Sequence, residues 1–181
     1  SIVKPAQRTV AEADATRPLT PVPNGYRKIV ALGNSGRSWY HALQVKAERP
    51  SGPFQAMASY TLANARDEAN YLLPEDSRNI GSEKARADND IRHNLAAGLT
   101  WQLSGSGPLW RAWTISGLGL FRSSRPYTIS WGDDRNGTTQ NDARPDDRNT
   151  ADGGIFRSVD LSATKRFRTG RGTFHARVGV F

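Results

Sequence analysis

The feature that most constrains this chain is an alternation of apolar and polar residues with a period of two. It recurs along the chain in segments of roughly ten residues, and helical periodicity is nowhere sustained. The clearest case is 93–103, where Leu95, Ala97, Leu99, Trp101 and Leu103 alternate with polar or small residues. Successive side chains of a strand point to opposite sides, so this pattern predicts strands with one apolar and one polar face.

The same pattern predicts seven strands. They are 26–32, 38–48, 54–65, 93–103, 109–131, 155–167 and 173–181. Ser123-Ser124-Arg125-Pro126 is expected to be a bulge or bend within 109–131, since proline cannot donate to a β-ladder. The register of 109–122 stays open. Trp113, Ile115 and Phe121 fit one face, whereas Leu118 and Leu120 fit the other.

Short and long connections alternate along the chain. The short ones, 49–53, 104–108 and 168–172, are rich in glycine and proline. The long ones are 66–92 and 132–154, together with the smaller 33–36. Membrane barrels have short periplasmic turns and longer extracellular loops.

These observations predict an all-β fold, an antiparallel up-and-down segment of a transmembrane β-barrel with about seven or eight strands. The barrel is expected to be incomplete and open, because seven strands is an odd number and bacterial single-chain barrels have even numbers. Residues 1–181 would all belong to one barrel domain, with 1–25 as an irregular lead-in and with 66–92 and 132–154 as extracellular loops. We expect the parent protein to supply further strands on both sides.

Composition permits such a barrel and excludes several other classes. Hydrophobic residues make up only 36% of the chain, and the mean hydropathy is −0.64. The chain contains no run of 18 apolar residues, so it has no predicted transmembrane helix. A transmembrane barrel does not need such a run, because its strands alternate apolar and polar residues and are hydrophilic on average. Five Trp, five Tyr and six Phe are too many for a disordered segment. The absence of cysteine excludes disulfides and thiolate metal sites.

The net charge of +8 first suggests a polyanionic partner such as nucleic acid. However, 66–92 holds seven acidic residues and 132–154 holds six, which together are thirteen of the seventeen in the chain. The surplus basic residues are scattered through the rest, and no dense Lys/Arg run occurs. We therefore expect no nucleic-acid partner, although a soluble basic β-domain that binds nucleic acid stays open as an alternative.

No constellation of residues indicates catalysis. His41, His93 and His175 lie on different predicted strands, and 133–137 resembles a calcium loop only faintly because Arg135 interrupts the ligand pattern. We predict no catalytic, cofactor-binding or metal-binding residues, no cofactor and no enzyme activity. Aromatic residues near strand ends are interpreted as an interfacial girdle rather than as stacking platforms for nucleic acid. They are Trp101, Trp110, Trp113, Tyr127 and Trp131.

An ordered series of short motifs resembles the TonB-dependent receptors, especially the Oar-like group with a carboxypeptidase-regulatory-like N-terminal domain. The motifs run from about residue 17 to the end. They are Gly33-Asn34-Ser35, Tyr40-His41-Ala42-Leu43-Gln44, Ala58-Ser59-Tyr60-Thr61-Leu62, Glu83-Lys84-Ala85-Arg86-Ala87-Asp88, Asp90-Ile91-Arg92-His93-Asn94-Leu95, Ser124-Arg125-Pro126-Tyr127-Thr128-Ile129, Asn141-Asp142-Ala143-Arg144-Pro145, Arg148-Asn149-Thr150, Val159-Asp160-Leu161-Ser162 and Lys165-Arg166-Phe167.

The resemblance implies a barrel in the bacterial outer membrane that imports a bulky ligand with energy from an inner-membrane partner. Outer-membrane lipid, an unknown extracellular ligand and that energy-coupling protein are the implied partners. No ligand-binding residue can be carried over by motif, so the ligand-binding residues are unknown. A structural or adhesive outer-membrane barrel without a transport role is the alternative of a different class.

Overall fold

The computed structural model describes residues 9–15, 33–68, 74, 79–107, 111–135, 137 and 143–181 of the protein. These residues are nearly all β, with one short helix and one 3₁₀ turn. Helix α1 is Val10–Ala15 and the turn is Ile80–Glu83. The strands are β1 Ser38–Arg49, β2 Phe54–Asp67, β3 Ala85–Arg86, β4 His93–Ser104, β5 Arg111–Arg122, β6 Pro126–Tyr127, β7 Ala151–Asp152, β8 Phe156–Thr169 and β9 Gly172–Val180.

The long strands form one antiparallel sheet in the order β1-β2-β4-β5-β8-β9, which is also their order in the sequence. The short strand β3 adds a seventh member by pairing with β2, and β6 and β7 form a separate pair. Within the part of the chain that the structure describes, this sheet does not close on itself. The predicted up-and-down, open antiparallel fold is confirmed.

Pairing registers place the apolar residues of neighbouring strands on one common face. Leu99 of β4 lies opposite Ala56 of β2 and Gly117 of β5, and Gly117 in turn lies opposite Leu161 of β8. Directly opposed residues of an antiparallel pair share a face. The face so defined, the apolar face, includes Phe54, Ala58, Tyr60, Leu62, Leu95, Ala97, Trp101, Leu103, Trp113, Ile115, Phe121, Val159, Ala163, Phe167, Phe174, Val178 and Val180.

The apolar face is not covered by protein in the described chain. Leu99 is 40% exposed, Leu161 54% and Val159 65%, although all three lie well inside the sheet. Leu161 and Leu99 do pack over Gly117, since a Cβ there would lie 3.1 Å from Leu161 Cδ2 and 3.5 Å from Leu99 Cγ. A contiguous apolar surface of this kind needs lipid or protein to cover it.

The structure settles the register of β5. A bulge at Ala112, whose φ is 63°, lies between the Leu103–Trp113 and Ser104–Arg111 pairs. The extra residue sets Trp113, Ile115 and Phe121 on the apolar face and turns Leu118 to the other side.

The opposite surface of the sheet, the polar face, is rich in hydroxyl, amide and charged residues apart from Leu118. It includes Gln55, Ser59, Thr61, Asn94, Thr100, Gln102, Thr114, Ser116, Ser158, Asp160, Ser162, Thr164, Arg166, His175 and Arg177.

Several predicted boundaries are wrong. The strand expected over 109–131 is not a single passage of the sheet, because β5 ends at Arg122 and Pro126–Tyr127 pairs with β7 instead. The connection expected over 66–92 is not wholly a loop, since β2 runs to Asp67 and β3 pairs with its end. The strand predicted over 26–32 lies outside the described residues.

The lead-in 1–25 was expected to be irregular, yet it contains α1. Thr9 and Glu12 explain the helix start. The Thr9 amide donates to Glu12 Oε2 at 2.7 Å, and the Glu12 amide donates to Thr9 Oγ1 at 3.3 Å. This reciprocal capping satisfies amides that a helix start otherwise leaves unpaired. No helix among the described residues is long and apolar enough to cross a membrane.

The chain divides into two compact units. The loop unit comprises Ser1–Tyr40, Ala65–Asp90 and Pro126–Gly153. The sheet unit comprises His41–Asn64, Ile91–Arg125 and Gly154–Phe181.

A pair of substitutions on adjacent residues of β4 tests the assignment of the two faces. Leu99→Arg should destabilise the folded protein in lipid vesicles by about 2–4 kcal/mol, because it places a charge in hydrocarbon. Thr100→Arg, on the polar face, should cost clearly less. The measurement is urea-induced unfolding followed by tryptophan fluorescence. Equal costs at the two positions would contradict the assignment.

Candidate functional site: a charge network in the long loops

The loop unit is built from two long connections, each containing a short antiparallel pair. In the first, Arg66 lies opposite Arg86 and Asp67 opposite Ala85. In the second, Pro126 lies opposite Asp152 and Tyr127 opposite Ala151. These pairs hold the segments 83–90 and 143–149, which carry most of the charged side chains discussed below.

Arg148 is the centre of this unit, with only 4% of its surface exposed. Its Nη2 donates to the carboxylate and to the backbone carbonyl of Asp67, the latter at 3.1 Å, and to the carbonyl of Glu83 at 3.4 Å. Its Nη1 donates to Asp88 Oδ1 at 3.4 Å. The Nε is buried and has no hydrogen-bond partner among the described residues. One guanidinium therefore binds three separate positions of the first connection.

Arg144 and Glu83 form a second link between the connections. Arg144 donates to both carboxylate oxygens of Glu83, at 2.8 and 3.0 Å. The Glu83 side chain is only 5% exposed and that of Arg144 only 12%. A bidentate arginine–carboxylate pair has fixed geometry as well as charge, so it sets the relative positions of the two segments more strictly than a single hydrogen bond.

Arg86 joins two acids from different connections. Its Nε donates to Asp90 at 3.0 Å and its Nη1 to Asp152 at 2.8 Å. Burial alone would lower the pKa of the Arg86 guanidinium, but the hydrogen bonds and charges of Asp152 and Asp90 outweigh burial and raise that pKa above its ordinary value. Arg86 therefore stays charged throughout the physiological range. Asp90 is fully buried and also accepts from the amide of Ala65 at 2.8 Å.

Asn149 completes the network from a backbone conformation that few residues adopt, with φ at 59°. Asparagine tolerates this left-handed region better than most residues. Its Nδ2 donates to the carbonyl of Arg86 at 2.7 Å and to Asp88 Oδ1 at 2.6 Å. Its amide donates to Thr128 Oγ1 at 3.0 Å. A single buried side chain thus contacts both long connections.

An exposed apolar row lies beside this network. Tyr127 is 51% exposed, Ile129 47% and Trp131 51%, whereas Thr128 between them is directed to Asn149. The guanidinium of Arg135 lies 4.1 Å from the centroid of the Trp131 ring. Alternate residues of this segment therefore present large side chains to solvent, and a neighbouring cation lies against one of them.

The residues weighed as candidate chemistry are not brought together. His93 pairs with Tyr60, whose hydroxyl lies 2.8 Å from His93 Nδ1, and His41 and His175 are exposed. In the faint calcium-like segment, Arg135 Nε donates to both oxygens of Asp133 at 2.9 Å. No three His, Asp or Glu side chains among the described residues are grouped to hold a metal.

The aromatic residues of the predicted girdle fall into two sets. Trp101 and Trp113 lie on the apolar face, near the ends of β4 and β5 that adjoin the short turn. Tyr127 and Trp131 belong instead to the loop unit, beyond the end of β5. Trp110 lies outside the described residues.

Sequence reasoning did not find the charge network. It predicted 66–92 and 132–154 only as long acidic loops on the extracellular side. The available signal was the family resemblance, since its motifs contain Glu83, Arg86, Asp88, Asp90, Arg144, Arg148 and Asn149. Nothing in their spacing shows that residues about sixty positions apart pair with one another.

Sheet and loops together define a class of protein. An up-and-down antiparallel sheet with an uncovered apolar face, a polar opposite face and alternating short and long connections has the features of an outer-membrane β-barrel. The chain belongs to the family described as outer membrane beta barrel domain, whose model matches residues 2–151. Its place is accordingly the bacterial outer membrane. No curated protein and no solved structure matches the chain.

Removal of Arg148 should open the loop unit. Arg148→Ala leaves Asp67, whose side chain is only 19% exposed, without this cation, and breaking a buried pair costs about 3–5 kcal/mol. The opening free energy can be measured by hydrogen exchange at the amides of Ala87 and Asn149 in the full-length protein.

Arg135→Ala is the matched control for Arg148→Ala. It removes an exposed arginine–aspartate pair, which contributes about 0–1 kcal/mol. Similar exchange rates in the two variants would show that the Arg148 contacts do not hold the connections together.

Proposed function

We propose that this chain forms part of the barrel of a TonB-dependent receptor, of the Oar-like group, which imports a bulky ligand across the outer membrane. In this proposal the protein is not an enzyme and carries no cofactor. Energy for import would come from an inner-membrane coupling protein that acts on other parts of the receptor.

The proposal rests on one observation: several of the motifs that resemble these receptors lie close together in space. Three of those motifs, 83–88, 141–145 and 148–150, lie far apart in the sequence. Their side chains nevertheless meet through the Glu83–Arg144 and Asp88–Asn149 hydrogen bonds. A chance likeness would have no reason to concentrate its residues in one buried network. The convergence supports an inherited structural relationship with these receptors.

The loop unit suggests how such a receptor would meet its ligand. We place 66–92 and 132–154 on the extracellular side, because they are the long members of an alternating series of connections. The network braces them, and Tyr127, Ile129 and Trp131 form an exposed row that a ligand could contact. In this proposal outer-membrane lipid contacts the apolar face, and the unknown ligand contacts the exposed row of the loop unit.

Two alternatives differ in their consequences. A structural or adhesive barrel would use the same sheet and the same braced loops, but it would need neither a plug domain nor a coupling protein. A soluble domain that binds nucleic acid is disfavoured by the outer-membrane family and by the uncovered apolar face of the sheet.

The sidedness of the loops can be tested by cysteine labelling on intact cells. Gly81→Cys and Gly154→Cys should react with an impermeant thiol reagent, whereas Ser106→Cys and Gly170→Cys should react only after the outer membrane is opened. All four positions are exposed. Gly52 and Gly137 are avoided, since their φ values of 93° and 70° would strain a cysteine.

The reverse labelling pattern would place the long loops in the periplasm and would refute the proposed ligand-facing side. These 181 residues contain no cysteine, and cells with the unsubstituted protein give the background signal.

The receptor role can be tested in the full-length native protein. Transport predicts a plug domain and an energy-coupling box upstream of this barrel segment, and chemical cross-linking in cells to the inner-membrane coupling protein. A parent gene without a plug, together with no cross-linked product, would leave the structural or adhesive barrel as the explanation.

A further inference from the structure

The polar face of the β8–β9 hairpin brings together three arginines and a histidine. Arg166 lies directly opposite His175, and Arg177 lies opposite Thr164. Arg168 follows Arg166 by two residues and so points to the same side. Diagonal neighbours across an antiparallel pair are about 7–8 Å apart, which brings Arg166 and Arg177 within mutual reach. We call Arg166, Arg168, His175 and Arg177 the hairpin cluster.

In the part of the chain that the structure describes, no acidic side chain pairs with the hairpin cluster. Its four members are exposed, and among the described residues none of them forms an ion pair. The nearest polar contact is from Arg177 Nη2 to Ser162 Oγ, at 3.3 Å. Asp160 is the one acid on this face of β8 and β9. Thr164, the residue opposite Arg177, lies four residues further along β8, which is about 13 Å from Asp160 along the strand. That separation exceeds the Debye length of about 8 Å at physiological ionic strength.

The arginines of the loop unit differ from those of the hairpin cluster, because they form ion pairs. There the arginines Arg86, Arg144 and Arg148 are each paired with carboxylates. No two arginines of the hairpin cluster face each other directly. Arg166 and Arg177 are diagonal neighbours, and no arginine of the cluster has an ion-pair partner among the described residues.

From this contrast we propose that the hairpin cluster is a binding site for a solute that carries several phosphate groups. Guanidinium groups donate forked hydrogen bonds that match phosphate oxygens, and cations about 7–8 Å apart suit an anion with more than one charged group. The solute rather than a lipid headgroup is favoured, because lipid contacts the apolar face and these side chains point to the other side. This site concerns equilibrium binding by the barrel wall and does not depend on energised transport.

Tripolyphosphate is the probe for this site. Orthophosphate, which has a single phosphate group, is the comparison and should bind more weakly. Calorimetric titration of the full-length protein in non-ionic detergent at low ionic strength should show tripolyphosphate binding that weakens as sodium chloride is added. The double variant Arg166→Gln/Arg177→Gln should weaken binding by about tenfold or more. The variant Arg166→Lys/Arg177→Lys keeps both charges and should retain most of the affinity.

The matched control is Arg157→Gln, which removes an exposed arginine of the same strand from the apolar face. It should leave tripolyphosphate binding within about twofold of the native value, because it lies on the other side of the sheet. Heat-modifiable gel mobility checks that each variant is folded.

Three results would overturn the proposal. The first is equal binding by the native protein and the glutamine double variant. The second is equal loss in the glutamine and lysine variants, which would indicate a structural effect rather than loss of charge. The third is loss of tripolyphosphate binding when phosphatidylglycerol vesicles replace detergent, which would assign the cations to lipid. A failed titration leaves the receptor proposal intact, since plug and coupling tests do not use this site.

Discussion

The register of cross-strand pairing is the constraint on which the rest of this structure depends. Every residue of β4 has a specified partner in β2 or β5, so a slip of one residue would exchange the apolar and polar faces of a whole strand. The bulge at Ala112 shows how closely this is maintained, since one extra residue there returns Trp113 to the apolar face. In hydrocarbon the same ladder also satisfies the backbone N–H and C=O groups, which lipid cannot do.

The two units handle polar groups in different ways. In the sheet unit, alternation separates polar from apolar side chains, and little beyond the backbone ladder is buried. In the loop unit, charged groups such as Arg148, Glu83 and Asp90 are themselves buried, and each forms an ion pair, with Asp67, Arg144 and Arg86 respectively. Burying an unpaired charge is costly, so these groups are stable only as a complete set. The loop unit is therefore a defined structure despite its acidic composition, which by itself is typical of a solvated loop.

Sequence reasoning succeeded for the long strands and failed for the connections. The predicted segments 38–48, 54–65 and 93–103 agree with β1, β2 and β4 to within two residues. By contrast, 123–131 was joined to β5 because 109–131 connects a short turn to a long loop. In the structure, Tyr127, Ile129 and Trp131 of this segment do alternate with smaller residues. That alternation is real, but its inward residue Thr128 bonds Asn149 rather than a neighbouring strand of the sheet. A period of two identifies extended backbone and does not identify its partner.

The sequence by itself determined the β class, the antiparallel order of the strands and, outside 109–122, which residues share a face. These properties follow from local alternation and short turns, which can be read within about ten residues. Tertiary structure alone decided that Arg148 binds Asp67 and Asp88, that Arg86 joins Asp90 to Asp152, and that Arg166 and Arg177 become neighbours across a hairpin. Such contacts join residues from separate segments, and the choice among many arginines and carboxylates depends on distances that exist only once the strands have paired.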